Sequence, residues 1–399
     1  MLFDSQNTNL KLLKERAYNL RWAEVKNGVI PLTAADLDFP CDPQISEAIQ
    51  AYSKEGYFNY GPSLGLPILK ESLSRFFYQK RNVSISPEHI LPVDSAAFGI
   101  YLVCKSLLQS GDEAIILDPV DFLFRYSIET VGAKAIPFSI PPGTTHVNFQ
   151  DLEALISPKT KLICLCNPLN PTGKVFTKKE LQSLASIAHK HQIIILSDEI
   201  WSDIIFDDAS FTSIASIDEE ISNQTIIVTG FSKSYGLAGL RIGAVLTKNK
   251  ILFDLIVQHS LHQSTIHGVN ILSQVAATTA LDKSESWLKE FLQHLHKMRL
   301  LCVDELNSID GFSCIAPEGC YVAFANISNT GMSSKEMHSF LLEKAKVAVV
   351  PGLKEWFGEG AEGYIRISFA TSENILKEAF EKINLAIKNY HPLTLSLIQ

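Results

Sequence analysis

Four short runs in the chain are apolar almost without interruption: EAIILDP (113–119), KLICLCNP (161–168), QIIILSDE (192–199) and TIIVTGFS (225–232). Strands buried on both faces of a mainly parallel sheet carry such runs, because neither face meets water and polar alternation has no purpose. Between two of them, KKELQSLASIAHKH (178–191) places apolar residues at helical spacing and ends in basic residues, which suit the negative end of a helix dipole. Strand–helix alternation over 51–290 predicts a large α/β domain with a mainly parallel, mixed sheet flanked by helices. From 287 the pattern changes. A long helix, WLKEFLQHLHKMRLLCVDEL, precedes CYVAFANIS, a helix over 334–346, VAVVPG, YIRISFA and a last helix near 373–390. This predicts a smaller α+β domain over 291–399, with residues 1–50 packing against it because they lack a complete core of their own.

The 399 residues are 46% hydrophobic with 21 Gly and 17 Pro, which excludes a disordered or fibrous chain. Basic residues number 35 against 43 acidic, a net charge of −8 that repels phosphate backbones and argues against nucleic-acid binding. The seven cysteines are dispersed and odd in number, unlike a disulfide framework. Cys164 and Cys166 lack the CxxC spacing of a zinc site and read as small buried hydrophobes, and no HExxH is present, so no metal is expected. The N-terminus lacks the apolar core of a signal peptide, and no apolar run approaches the ~20 residues needed to span a bilayer. A cytoplasmic protein with no membrane association is the expectation.

Chemistry concentrates where the apolar runs end. Asn167 and Asn170, Asp198 and Glu199, and Ser232 and Lys233 follow three of them, and open α/β sheets bind ligands at the carboxyl ends of their strands. In GFSKSYGLAGLRIG (230–243), Lys233 follows an apolar strand among Phe231, Tyr235, Leu237 and Leu240. Most lysines are solvated. One desolvated among such neighbours has a lowered pKa and suits Schiff-base chemistry with an aldehyde, while Arg241 offers a planar fork for phosphate.

Ser232-Lys233…Gly239-x-Arg241-x-Gly243 resembles the lysine motif of fold-type-I pyridoxal phosphate (PLP) enzymes of the class I/II aminotransferase family. Two further matches, NPLNPTG (167–173) and SDEIWSD (197–203), occur in the family's order and at its usual intervals. The resemblance spans about Leu32 to Leu385. It implies that Lys233 is catalytic, that Asn170 bonds the phenolic oxygen of PLP, and that Asp198 pairs with the pyridinium nitrogen. It also implies a phosphate site at Ser95, Ala96 and Ala97, where backbone N–H groups at a helix start do the work. Ser95 is equally suited to be an ordinary helix cap. Tyr60 falls where a tyrosine of the neighbouring subunit reaches the phosphate, which implies a homodimer with shared sites; an ordinary loop tyrosine is the rival reading. Arg366, in YIRISFA, matches the arginine that grips the substrate α-carboxylate, with a structural salt bridge as the alternative. Ala35, in IPLTAADLDFP, joins the substrate side.

Two positions depart from ordinary aminotransferases. Trp201 stands where a tyrosine hydroxyl usually donates to the PLP ring oxygen, and packing alone is its other reading. Asp121, in PVDF, stands where an aromatic ring commonly stacks on PLP. Either Phe122 takes the stacking role after a one-residue shift and Asp121 turns to solvent or caps a helix, or Asp121 faces a cationic substrate side chain. NLRWAEV and SDEIWSDIIF also resemble the cystathionine β-lyase-like branch of the superfamily. The expected function is therefore a PLP-dependent aminotransferase acting on an L-amino acid. The alternative is a β/γ-elimination lyase or a cyclase acting on a cationic, hydroxyarginine-like amino acid. A non-enzymatic regulator of this fold is disfavoured by the presence of Lys233.

Overall fold

The computed structural model describes residues 2–206 and 209–395. Twelve strands follow in chain order: β1 (Ile30–Pro31), β2 (Ile90–Val93), β3 (Glu113–Asp118), β4 (Lys134–Ser139), β5 (Thr160–Cys166), β6 (Ile194–Asp198), β7 (Thr225–Gly230), β8 (Gly243–Thr247), β9 (Val322–Asn326), β10 (Val347–Ala348), β11 (Val350–Pro351) and β12 (Tyr364–Ser368). Seven of them form one sheet in the order β2-β8-β7-β6-β5-β3-β4. Only β8 runs against its neighbours. The four apolar runs are β3, β5, β6 and β7. Their side chains (Ile115, Leu117, Ile163, Leu165, Ile195, Leu196, Ile226, Val228) are buried because helices cover both faces.

The parallel strands end together on one edge, which therefore collects the residues that follow β2, β3, β5, β6 and β7. Close packing at that edge is visible at Gly243, the first residue of β8. A Cβ there would lie 2.7 Å from the Ala96 nitrogen and 2.8 Å from the Thr229 oxygen. Only glycine lets this strand approach the start of the helix Ala96–Leu107 so closely.

A second core joins Phe3, Trp22, Leu32 and Phe39 to Phe291, Val322, Ile365 and Phe380. β1 pairs in parallel with β10, Ile30 opposite Val347, so the N-terminal segment completes this core. These separate cores support, as our reading, a large and a small domain; the boundaries expected at 50 and 290 fall inside the helices Pro43–Lys54 and Glu285–Ser308, and Ile45 packs with Leu69 and Ala276 of the large domain. The helix expected over 334–346 is divided. An α-helix, Ser334–Phe340, passes into a π-helical turn, Leu341–Ala345, closed by Lys346 in the left-handed region at φ 57°. Among the described residues no helix is long and apolar enough to cross a membrane.

Candidate active site

A cavity of about 880 Å³ opens at the carboxyl edge of the large sheet, between the two cores. It is lined by Ala35, Ser95, Ala96, Ala97, Asp121, Phe122, Asn170, Asp198, Trp201, Ser232, Lys233, Arg241 and Arg366. Of the residues that the family resemblance assigns to the site, Tyr60 lies elsewhere; Asn167 and Glu199, which also follow apolar runs, are buried outside the lining. Tyr60 is 90% exposed and meets His267 edge to face, ring centroids 4.8 Å apart.

Asp198 ends β6 and is buried, accepting a hydrogen bond from the Ile200 N–H at 3.1 Å. Burial pushes its pKa up to about 7; the nearby Asp121 and Glu199 add to the rise, while the Ile200 N–H and Lys233 oppose it. A carboxyl group so placed gains from any cation that enters the cavity. Lys233 follows β7. Its Nζ donates to the Ala35 carbonyl at 2.7 Å and stands 5.3 Å from the centroid of the Trp201 ring. Desolvation lowers the lysine pKa, with Asp36 the chief opposing charge. The buried Tyr321 hydroxyl donates to the same Ala35 carbonyl at 3.2 Å and packs edge to face on Trp201. Ala35 thus acts through its backbone, as the acceptor that parks the amine.

Ser95 caps the helix Ala96–Leu107, its hydroxyl accepting from the Phe98 N–H at 3.1 Å. The free N–H groups of that first turn face the cavity wall near Arg241. Arg241 has φ 51° and makes no ion pair among the described residues. A positive helix end beside an unneutralised guanidinium is an anion site.

On the opposite side, β12 supplies Arg366, which is 8% exposed. One terminal nitrogen donates to Asn170 Oδ1 at 3.1 Å and the other to the Thr33 carbonyl at 3.3 Å, while its buried Nε has no partner. No carboxylate forms a salt bridge with it among the described residues, so the structural-salt-bridge reading of Arg366 is not what the geometry displays. Phe357 lies under the guanidinium, 5.2 Å from its carbon to the ring centroid.

Asp121 does one of the things open to it in the sequence, at the helix start, and one that was not foreseen. Its Oδ1 accepts from the Leu123 N–H at 3.2 Å, at the start of the helix Leu123–Thr130. Its Oδ2 accepts from Asn170 Nδ2 at 2.9 Å, inside the cavity. Phe122 lies at the rim and packs edge to face on Trp356, centroids 5.4 Å apart. Sequence reading passed over Thr33, Tyr321 and Trp356, together with Arg21, whose fully buried side chain pairs with Asp38 at 2.9 Å beside the cavity. The segment NLRWAEV was noted in the sequence for its resemblance alone; the burial of Arg21 and its pairing with Asp38 depend on the fold.

Residues 27–383 match the sequence profile of the family described as "Aminotransferase class I and II". The chain is 34% identical over 365 residues to the aspartate aminotransferase of Pyrococcus horikoshii, covering 90% of this chain and 91% of that protein. Among solved structures, an aromatic aminotransferase of Pyrococcus horikoshii superposes with a TM-score of 0.86 at 29% identity, covering 92% of this chain and 98% of the other. Cystalysin of Treponema denticola, which contains a pyridoxal 5'-phosphate cofactor, superposes with a TM-score of 0.90 at 25% identity, covering 98% and 100%.

Proposed function

The chain belongs to the class I and II aminotransferases, and on that premise we propose that Lys233, Asp198, Asn170, Arg241 and Arg366 form its working site. It is an enzyme dependent on PLP. The cavity fits the cofactor on observations independent of the family. Among the described residues, no cationic side chain is hydrogen-bonded to the buried carboxyl of Asp198, whose pKa is raised to about 7. Arg241, in no ion pair among the described residues, lines the same cavity as Ala96 and Ala97 at a helix N-terminus, and so does Lys233, its pKa lowered by burial.

When bound, PLP supplies an aldehyde for amines and a ring that accepts the electron pair released at a substrate Cα. Lys233 supplies the amine. Its depressed pKa keeps more of it neutral near pH 7, so it can attack a carbonyl carbon and later carry a proton to or from Cα. Asp198 holds a protonated ring nitrogen through charge. Arg241, with the N–H groups of Ala96 and Ala97 and the Ser232 and Ser95 side chains, holds the phosphate. Trp201 walls the lysine side. Arg366 offers two N–H groups to the α-carboxylate of an L-amino acid, a pairing that its unpartnered Nε can extend.

The reading includes a homodimer with shared sites. Its support is a run of exposed rings, Tyr57 72%, Phe58 63% and Tyr60 90%, near Leu261 and Ile266, which are 50% and 40% exposed. Apolar surface of this kind marks an interaction face.

The observation that carries the reading is the convergence of Lys233 and Asp198 in one cavity with Arg366. Borohydride reduction of the purified protein with PLP, followed by peptide mass spectrometry, is expected to place a pyridoxyl group on Lys233. Labelling of another lysine, or none, would overturn it. Incubation with an L-amino acid and 2-oxoglutarate is expected to yield the matching 2-oxo acid and glutamate.

A further inference from the structure

We propose that Asp121 is a positioning residue that locks the orientation of the Asn170 side chain. The Asn170 amide is held from both ends: Nδ2 donates to Asp121 Oδ2 at 2.9 Å, and Oδ1 accepts from Arg366 at 3.1 Å. Turned over, the amide would set its NH2 against a guanidinium and its oxygen against a carboxylate. Both contacts would then be repulsive, donor facing donor and acceptor facing acceptor. The present orientation is therefore the only one both neighbours accept.

Asp121 is itself fixed. Its Oδ1 takes the Leu123 N–H at 3.2 Å, and its own N–H donates to the Asn170 carbonyl at 3.2 Å. Side chain and backbone thus close a ring between the loop after β3 and the loop after β5. The clasp lies just beyond the paired part of β3 and β5 and links the two loops directly.

With the amide oxygen spent on Arg366 and one N–H on Asp121, Asn170 has a single N–H left. Its direction is determined by the other two bonds, and it is the donor that Asn170 would have free for the ring oxygen of bound PLP. An aromatic residue at 121 could stack on a ring but could not accept from Asn170. The clasp thus replaces stacking with a hydrogen-bonded constraint on the donor. This inference rests on the assignment of Asn170 to the cofactor site.

A double-mutant cycle on the full-length protein tests it, with PLP dissociation constants read by fluorescence or absorbance titration and Michaelis constants for the amino acid alongside. Asp121→Ala is expected to weaken PLP about tenfold or more, the weight of one charge-assisted hydrogen bond. Asp121→Asn keeps one acceptor oxygen, and turned toward Asn170 Nδ2 it sets its NH2 against the Leu123 N–H, so it is expected to recover only part of that loss. If Asp121 acts through Asn170, the pair Asp121→Ala and Asn170→Ala binds PLP no more weakly than Asn170→Ala alone. Losses that multiply in the double variant would overturn the proposal. Circular dichroism of each PLP-free variant identifies any that fail to fold. For such a case, Asp121→Glu and Asn170→Ser supply a second cycle with the same opposing outcomes. Borohydride labelling of Lys233 in the wild type separates the two levels. Absent labelling defeats the cofactor-site reading, whereas labelling with an additive cycle defeats only the clasp.

Discussion

Replacing Asp198 by Asn should make the cofactor-free protein more stable, and by an amount that depends on pH. Burial is the first cause of the raised pKa, about 7 against an ordinary 3.8. Folding therefore draws a proton onto Asp198 across that interval, and the sign follows from linkage. Below pH 4 the carboxyl is neutral in both states and contributes no penalty. As pH rises toward 7, the unfolded chain gains an ionised, hydrated carboxylate that the folded state resists, so stability falls. At about 1.4 kcal/mol per pH unit, the full interval amounts to roughly 4 kcal/mol as a ceiling. Asparagine is nearly isosteric, its Oδ1 can still accept from the Ile200 N–H, and it does not titrate. Urea unfolding of wild type and Asp198→Asn without PLP should coincide near pH 4. By pH 8 they should diverge, with the variant ahead by up to about 4 kcal/mol. Saturating PLP should reverse the order, because only the carboxylate can pair with a cationic ring nitrogen. A stability difference that is flat from pH 4 to 8 would refute the claim that burial controls this carboxyl.

Arg366→Lys replaces a planar fork with a point charge, so the Michaelis constant for the amino acid should rise about tenfold or more in steady-state kinetics. An unchanged constant would remove Arg366 from the carboxylate site. Gly243→Ala sets a methyl 2.7 Å from the Ala96 nitrogen. Backbone cannot yield cheaply there, so thermal melts should show a loss of about 1–3 kcal/mol, with PLP affinity falling as the helix start is displaced. Mixed dimers of Tyr60→Phe and Lys233→Arg chains test the shared site by active-site titration. If Tyr60 crosses the interface, one site carries both lesions and the other neither, so activity survives that neither parent dimer has.

Legibility from sequence tracked the range of the interactions involved. Strands β3, β5, β6 and β7 were readable because a strand buried on both faces needs an apolar residue at nearly every position, a constraint satisfied within five to seven residues. The division of 334–346 at Phe340 was not readable. Leu341 and Ala345 are buried on the same side as the preceding turn, so the apolar pattern continues while the hydrogen-bond register changes. β1 and β10 are two residues each, too short to show a period, and they exist only because residues 316 positions or more apart in the chain meet across the small core.

The site divides along the same line. Lys233, Asp198 and Asn170 each follow a legible strand, so their convergence on one edge was implied once the strands were parallel. Trp201 and Tyr321 lie 120 positions apart in the chain and share no local pattern; only packing in the second core brings their rings to 4.6 Å. Asp121 is the instructive intermediate. Its identity was conspicuous, yet a single carboxylate in a loop is compatible with a cap, a substrate contact or solvent. What decides its role is the amide 49 positions away, whose orientation is settled in turn by an arginine from a third segment. Each of these polar groups has its partners chosen by the others, and no window of sequence contains all three. The chemistry of Lys233, Asp198 and Asn170 was readable from residue type and the strand each follows; the constraint on Asp121 was readable only where two loops and the middle of β12 met.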